Sequence, residues 1–181
     1  MAATLDSIFD GDRWRAIGGI DADCRAEQCA EVYQQMTGAR WGTYLRMLDN
    51  HRVRYFLLHL TNHPDGRDLM KTCMWTICPD GNFYASKSDD PKAKILLQPE
   101  PDFGPLQTWV LDRLQAGSRP RQSLTDDLRE ELWLEKHLNG VIKSMREEGL
   151  IEPEGNGRSF NRSGNPCLRV APTRPKQLEL F

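Results

Sequence analysis

Residues 134–149 read LEKHLNGVIKSMREEG, and their rhythm decides the second half of the chain. Leu134, Leu138, Val141, Ile142 and Met145 recur at helical spacing, the apolar stripe of a helix laid on a core. Gly149 stands where such a helix stops, so the spacing predicts a helix over 134–148. Working outward, SLTDD at 123–127 predicts a shorter helix from Ser123 to Leu132, with Ser123 as its cap and the carboxylates in its first turn. Arg119–Gln122 reads as a loop. Pro105–Gln115 predicts another helix, with Leu106, Trp109, Val110 and Leu114 on one face and Gly117 just past its end. Downstream, Leu150–Pro153 and Cys167–Val170 predict two strands, joined by a tip at 154–165 rich in Gly, Asn and Arg.

Helix, helix, longer helix, hairpin is the order of a winged helix-turn-helix. In that arrangement the third helix enters the major groove of DNA and the hairpin lies along the backbone or minor groove. The face of the third helix opposite the apolar stripe offers Lys136, His137, Asn139, Lys143 and Arg146. Gly140 removes a side chain in the middle of it, which favours close approach to a phosphate or base. Ser159, Arg158, Asn161 and Arg162 at the hairpin tip are phosphate and sugar partners. The net charge of the chain is −2, but 155–176 holds five basic residues and no acidic one. Over 119–176 there are 11 basic against 9 acidic residues, a net of +2, which predicts modest, salt-sensitive binding. Glu135, Glu147 and Glu148 share the third helix, so a protein-docking role fits the same face.

The first half predicts an α/β unit over 1–85. A short helical lead-in at 7–17 is followed by a helix over 21–38, with Cys24, Cys29, Val32 and Met36 inward and Gly38 as its stop. Trp41–Leu48 reads as a short strand. Val53–Leu60 is a nearly continuous apolar run, as expected of a strand covered on both faces. In TNHPDG, Thr61 or Asn62 caps and Pro64 suits the first turn of a helix over 67–75. Asp80-Gly81 marks a turn. Residues 86–102, with several prolines and charges, read as a linker to the 103–171 unit. The fold class expected is α+β: a partial Rossmann-like unit, a winged helix-turn-helix, and a flexible tail over 172–181. Such a unit exposes one edge of a short sheet, a reason to expect a partner subunit or a dimer.

Five cysteines argue against a disulfide framework. Cys24-x4-Cys29 and Cys73-x4-Cys78 have a poor zinc spacing, so small buried thiols are the expectation and no metal site is assigned. His59, His63, Asp65 and Asp68 cluster around a strand-to-helix turn, where catalytic groups often sit. Turn and cap chemistry explains them equally well, and no catalytic residue is assigned. No apolar run approaches membrane-helix length and no signal peptide opens the sequence, so a cytoplasmic location is expected.

The sequence closes on KQLELF, and the stretch leading into it, RVAPTRPK, has two prolines and two basic residues in its last five positions. QLELF resembles the bacterial sliding-clamp-binding pentapeptide Gln-Leu-(Ser/Asp)-Leu-Phe, departing from it only at Glu179. The resemblance implies that Gln177 bonds at a pocket rim while Leu178, Leu180 and Phe181 fill apolar subsites. Each buried side chain contributes roughly 1.5–3 kcal/mol. Ordering the peptide offsets part of that and leaves about micromolar affinity.

The segment YFLLHLTNHPDGRDLMKTCMW (55–75), with FDGDRW (9–14) ahead of it, resembles the three-Cys-motif partner proteins. The resemblance is close over 7–80 and one of pattern over 103–170. It implies the last strand and helix of a methyltransferase-like Rossmann domain, followed by a winged helix. The family's glycine-rich S-adenosylmethionine loop has no counterpart in these 181 residues, so no cofactor is expected. Family members are encoded beside a radical-SAM-type protein resembling photoproduct lyases, which implies work around DNA damage or mobile elements. The function expected is a DNA-binding accessory factor of repair, replication or mobile-element defence, recruited through the clamp. Two alternatives stand beside it. One is the C-terminal half of a split methyltransferase-like enzyme; the other is a non-DNA adaptor for the radical-SAM-type partner.

Overall fold

In the computed structural model, which describes residues 2–19, 21–49, 52–86, 100–154 and 165–172, two units are distinguished, Met1–Pro101 and Asp102–Phe181. Among the described residues they carry six α-helices, one 3-10 turn and two three-stranded sheets, an α+β fold. None of the described helices is long and apolar enough to cross a membrane.

In the first unit, α1 (Ala2–Ile8) and a 3-10 turn (Arg13–Ala16) replace the single lead-in expected at 7–17. Asp10 and Gly11, at φ 49° and 110°, reverse the chain between them. α2 (Ala22–Thr37) forms as expected: Asp21 Oδ1 accepts from the Cys24 amide at 2.7 Å and Gly38 closes the helix at φ 63°. β1 (Trp41–Asp49) pairs antiparallel with β2 (Arg52–Thr61), and β3 (Tyr84–Ser86) joins β1 in parallel, giving the order β2-β1-β3. α3 (Pro64–Ile77) begins with Pro64 in its first turn. Its cap is neither Thr61 nor Asn62 but His63, whose Nδ1 accepts from the Asp65 amide at 3.2 Å. Both expected caps are engaged elsewhere. Thr61 Oγ1 accepts from the His63 amide and Asn62 Oδ1 from the Arg40 amide.

Strand alternation splits β1 between two helices. Thr43 and Leu45 point to α3: Arg67 donates to Thr43 Oγ1, and Leu45 packs with Met74 and Cys78. Gly42, Tyr44 and Arg46 point to α2. Arg46 Nε donates to Asp23 Oδ1 at 2.5 Å and Tyr44 Oη to Glu27 Oε1 at 3.2 Å. A Cβ on Gly42 would meet Gln34 Oε1 at 2.9 Å, so a side chain there would displace the end of Gln34. β2 corrects the expectation of a strand covered on both faces. It is an edge strand on which Val53, Tyr55 and Leu57 are exposed, while the core side chains of α3 gather on Leu45 and Met47 of β1 and on Phe83 and Ala85. Its apolar run therefore reflects surface as well as core.

In the second unit, α4 (Gly104–Gln115) and α6 (Glu135–Glu147) follow the sequence reading, and Gly149 ends α6's turn at φ 72°. The middle segment does not. Arg119–Pro120 is a two-residue strand, β4, rather than a loop, and pairs with β6 (Cys167–Val170). α5 spans Arg121–Asp127, so it starts ahead of Ser123 and stops short of Leu132. Its first amides are bonded by a distant segment: Arg121 N donates to Pro166 O at 3.0 Å and Gln122 N to Asn165 Oδ1 at 2.7 Å. Ser123 Oγ accepts instead from Arg119 Nη2, and Asp127 at the end of the helix holds Arg119 Nη1 at 2.9 Å, while the Leu128 amide closes the last turn on Leu124 O. β5 (Ile151–Pro153) and β6 form the expected antiparallel hairpin arms, in sheet order β4-β6-β5. Leu106, Val110 and Leu114 of α4 meet Leu124, Leu128, the four inward residues of α6, Ile151 and Leu168 in one core. Burial of each large side chain there contributes roughly 1.5–3 kcal/mol.

Candidate nucleic-acid interface

α6 is built by its stripe. Leu138, Val141, Ile142 and Met145 are all at most 3% exposed, so the helix has one fixed rotation on its core. That rotation sends Lys136, Gly140, Lys143 and Glu147 outward, at i, i+4, i+7 and i+11. Space beside Gly140 is open, with nothing within 4 Å of where a Cβ would stand. The outward row therefore reads cation, bare backbone, cation, anion. Lys143 Nζ lies 3.9 Å from Glu147 Oε1, both well exposed, a contact worth a few tenths of a kcal/mol, roughly 0.3–0.5.

The remaining expected contacts on α6 are placed differently. His137 stands partly buried between Phe103 and Trp133, with ring centroids 5.6 and 5.9 Å away. Its Nδ1 accepts from the Leu134 amide, so the ring works as the N-terminal brace of α6. Asn139 Oδ1 accepts from Arg121 Nη2, and the same Nη2 lies 2.9 Å from Glu135 Oε1. Arg121 is buried, so Asn139 is held inward as the polar partner of a buried cation. Arg146 is half-buried and engaged in an interaction of its own. Sequence spacing distinguishes Lys136 and Lys143 from the inward stripe; it does not reveal that Asn139 faces Arg121, which lies 18 residues earlier.

The hairpin arms carry their own charge pair: Arg169 Nε and Nη2 donate to Glu152 Oε1 at 2.9 and 2.6 Å. This removes one of the five cations of 155–176 from the free total. Arg158, Asn161 and Arg162, and the tail residues Gln177, Leu178, Leu180 and Phe181, lie outside the described residues.

The strand-to-helix turn of the first unit does not converge on a reacting centre. His63 and Asp65 are 72% and 89% exposed in their side chains and serve the start of α3. His59 sits within β2, with a buried Nδ1 that has no hydrogen-bond partner among the described residues. No group of three or more His, Cys, Asp or Glu is gathered to hold a metal among the described residues.

No family model, no curated protein and no solved structure matches the chain. The resemblance of 9–14 and 55–75 to three-Cys-motif partner proteins gains no support from these comparisons.

Proposed function

We propose that residues 103–171 are a winged helix-turn-helix that holds DNA, and that QLELF recruits the chain to a bacterial sliding clamp at sites of replication, repair or mobile-element defence. The first unit is read with it as part of a Rossmann-like layer. The observation that carries the proposal is the outward row of α6, where Lys136 and Lys143 flank the bare backbone at Gly140. A helix presenting two cations around a missing side chain can seat close against a phosphate without displacing its own packing. The hairpin arms follow α6 directly, which brings the Arg158–Arg162 tip to the same binding event by chain order. Each phosphate that the protein ceases to neutralise lowers the salt dependence of binding by about 0.9 in log–log slope. Two weak contacts on one chain, peptide to clamp and wing to DNA, reinforce each other through effective concentration.

The test is fluorescence anisotropy with a labelled duplex at two salt concentrations, and with purified clamp. Lys136→Ala with Lys143→Ala, and separately Arg158→Ala with Arg162→Ala, are expected to weaken duplex binding and flatten its salt slope. Deleting 177–181 is expected to abolish clamp binding and leave duplex binding intact. Unchanged duplex affinity in both double variants removes the DNA reading. Clamp binding that survives the deletion removes the recruitment reading. The pairing of Lys143 with Glu147 and of Arg169 with Glu152 favours a second reading, a protein adaptor for a radical-SAM-type partner. Absence of duplex binding at low salt, with stable co-purification of that partner, selects it.

A further inference from the structure

The first unit exposes large apolar side chains on α1, α3, β2 and β3, and three of them gather at the β2 margin of the sheet. Tyr55 and Leu57 of β2 are 59% and 49% exposed, and Ile77 of α3 is 55% exposed. Register places Tyr55 opposite Met47 and Leu57 opposite Leu45, hence on the α3 side of the sheet. α3 starts beside the end of β2: a Cβ on Gly66 would meet Thr61 Oγ1 at 2.8 Å. Its later turn packs Met74 and Cys78 on Leu45, with Met47 alongside. The helix thus runs back along β2, and its last turns are level with Tyr55 and Leu57. Trp75 occupies the flank toward β3, where it packs on Phe83 with ring centroids 5.1 Å apart. Gly66, Met70, Cys73 and Ile77 share the opposite flank by helical spacing, the flank toward β2. Cys73 is exposed there as well.

The outer edge of β2 is paired with no strand among the described residues. It spans ten residues, against three for β3 at the other edge. A long edge of this kind, without proline and with apolar side chains beside it, is a template for strand addition.

We propose that the edge is covered by β2 of a second copy of this chain, antiparallel about a two-fold axis at Leu57. Charge complementarity favours this occupant and this direction, although Arg54 already lies 3.6 Å from Asp49 of β1. The cations of β2, Arg52 and Arg54, both lie at its start. Parallel pairing would stack them on their equivalents. The two-fold instead sets them beside the partner's Leu60 and Asn62, next to Asp65, which is 89% exposed at the start of α3. Leu57 meets its own equivalent and Tyr55 meets His59, so the same-face rule is kept on both strands. The sheet becomes six-stranded, with the Cys73–Ile77 flanks of the two α3 helices facing across the new seam. The proposal is independent of the DNA and clamp readings.

Sedimentation of the full chain tests it. The expected mass is twice the 20.8 kDa of one chain, falling to a single chain in Leu57→Lys, with far-UV dichroism unchanged. A single-chain mass for the unaltered protein, or a dimer that Leu57→Lys leaves intact, overturns the proposal. Should Leu57→Lys fail to fold, Leu57→Cys in a Cys73→Ser background decides. Opposed residues at a two-fold lie within disulfide reach, so mild oxidation is expected to yield a dimer-sized band that thiol abolishes. Its absence overturns the proposal equally.

Discussion

At the residue scale, the α2–β1 contact carries the strongest electrostatic signature. Burial, then the Glu27 carboxylate beside its hydroxyl, push the Tyr44 phenol up to about 12. The proton of Arg46 is held more firmly still, through its hydrogen bond to Asp23. Because the fold favours the neutral phenol, Tyr44 contributes stability that is complete below the ordinary tyrosine value, about 10. That contribution is lost as pH rises from there through about 12. A spectrophotometric titration at 295 nm is expected to show a late phenolate step, and Tyr44→Phe to lack it. A wild-type curve identical to that of Tyr44→Phe contradicts the burial of this ring. The same scale explains which polar residues escaped the sequence reading. Thr61 and Asn62 are good caps by type, but each is spent on another amide, and His63 takes the position.

At the element scale, α6 and α3 are opposites. In α6 the apolar stripe of the sequence is the buried stripe, so the helix, its rotation and the outward Lys136 and Lys143 were legible from spacing, whereas the half-buried place of Arg146 was not. Gly140 is the one weak link in its propensity. Gly140→Ala adds a methyl that meets nothing within 4 Å, and is expected to stabilise the protein by about 0.5–1 kcal/mol, read as a higher melting temperature. If the bare backbone serves DNA contact, the same substitution lowers duplex affinity while stability rises. Two quantities moving in opposite directions separate a binding role from a folding role. α3 is turned the other way. Arg67 and Lys71, each 3% exposed, share its buried face with Met74 and Trp75, while Leu69 is 66% exposed. Hydrophobic spacing cannot anticipate a helix that buries its cations, because the hydroxyl of Thr43 that receives Arg67 lies on a strand 24 residues earlier. α5 fails for a related reason: the groups bonded to its first amides, Asn165 and Pro166, come from beyond the hairpin tip.

At the scale of the whole molecule, the second unit owns a complete core. Eleven buried residues between Leu106 and Leu168 form one cluster, drawn from all three of its helices and from the hairpin arms. Residues 102–181 expressed separately are therefore expected to unfold in one cooperative thermal transition, with helical far-UV dichroism. A non-cooperative melt would show that this core needs the rest of the chain. Among the described residues the first unit buries less and exposes more: Tyr55, Leu57, Leu69 and Ile77 all belong to it. That imbalance is what a surface completed by association looks like.

Two kinds of information separate cleanly in this protein. Local chemistry along the chain specified α2, α4, α6, the first turn of α3 and the two hairpin arms, since periodicity, Pro64 and the closing glycines act over a few residues. The tertiary structure decided the rest. It set β2 at the edge, so that an apolar run became partly surface; it turned α3 so that Arg67 and Lys71 lie inside. It drew Asn139 inward to Arg121, leaving Lys136 and Lys143 as the outward cations. Those outcomes depend on partners tens of residues away, whose meeting is set by packing and charge rather than by any local pattern.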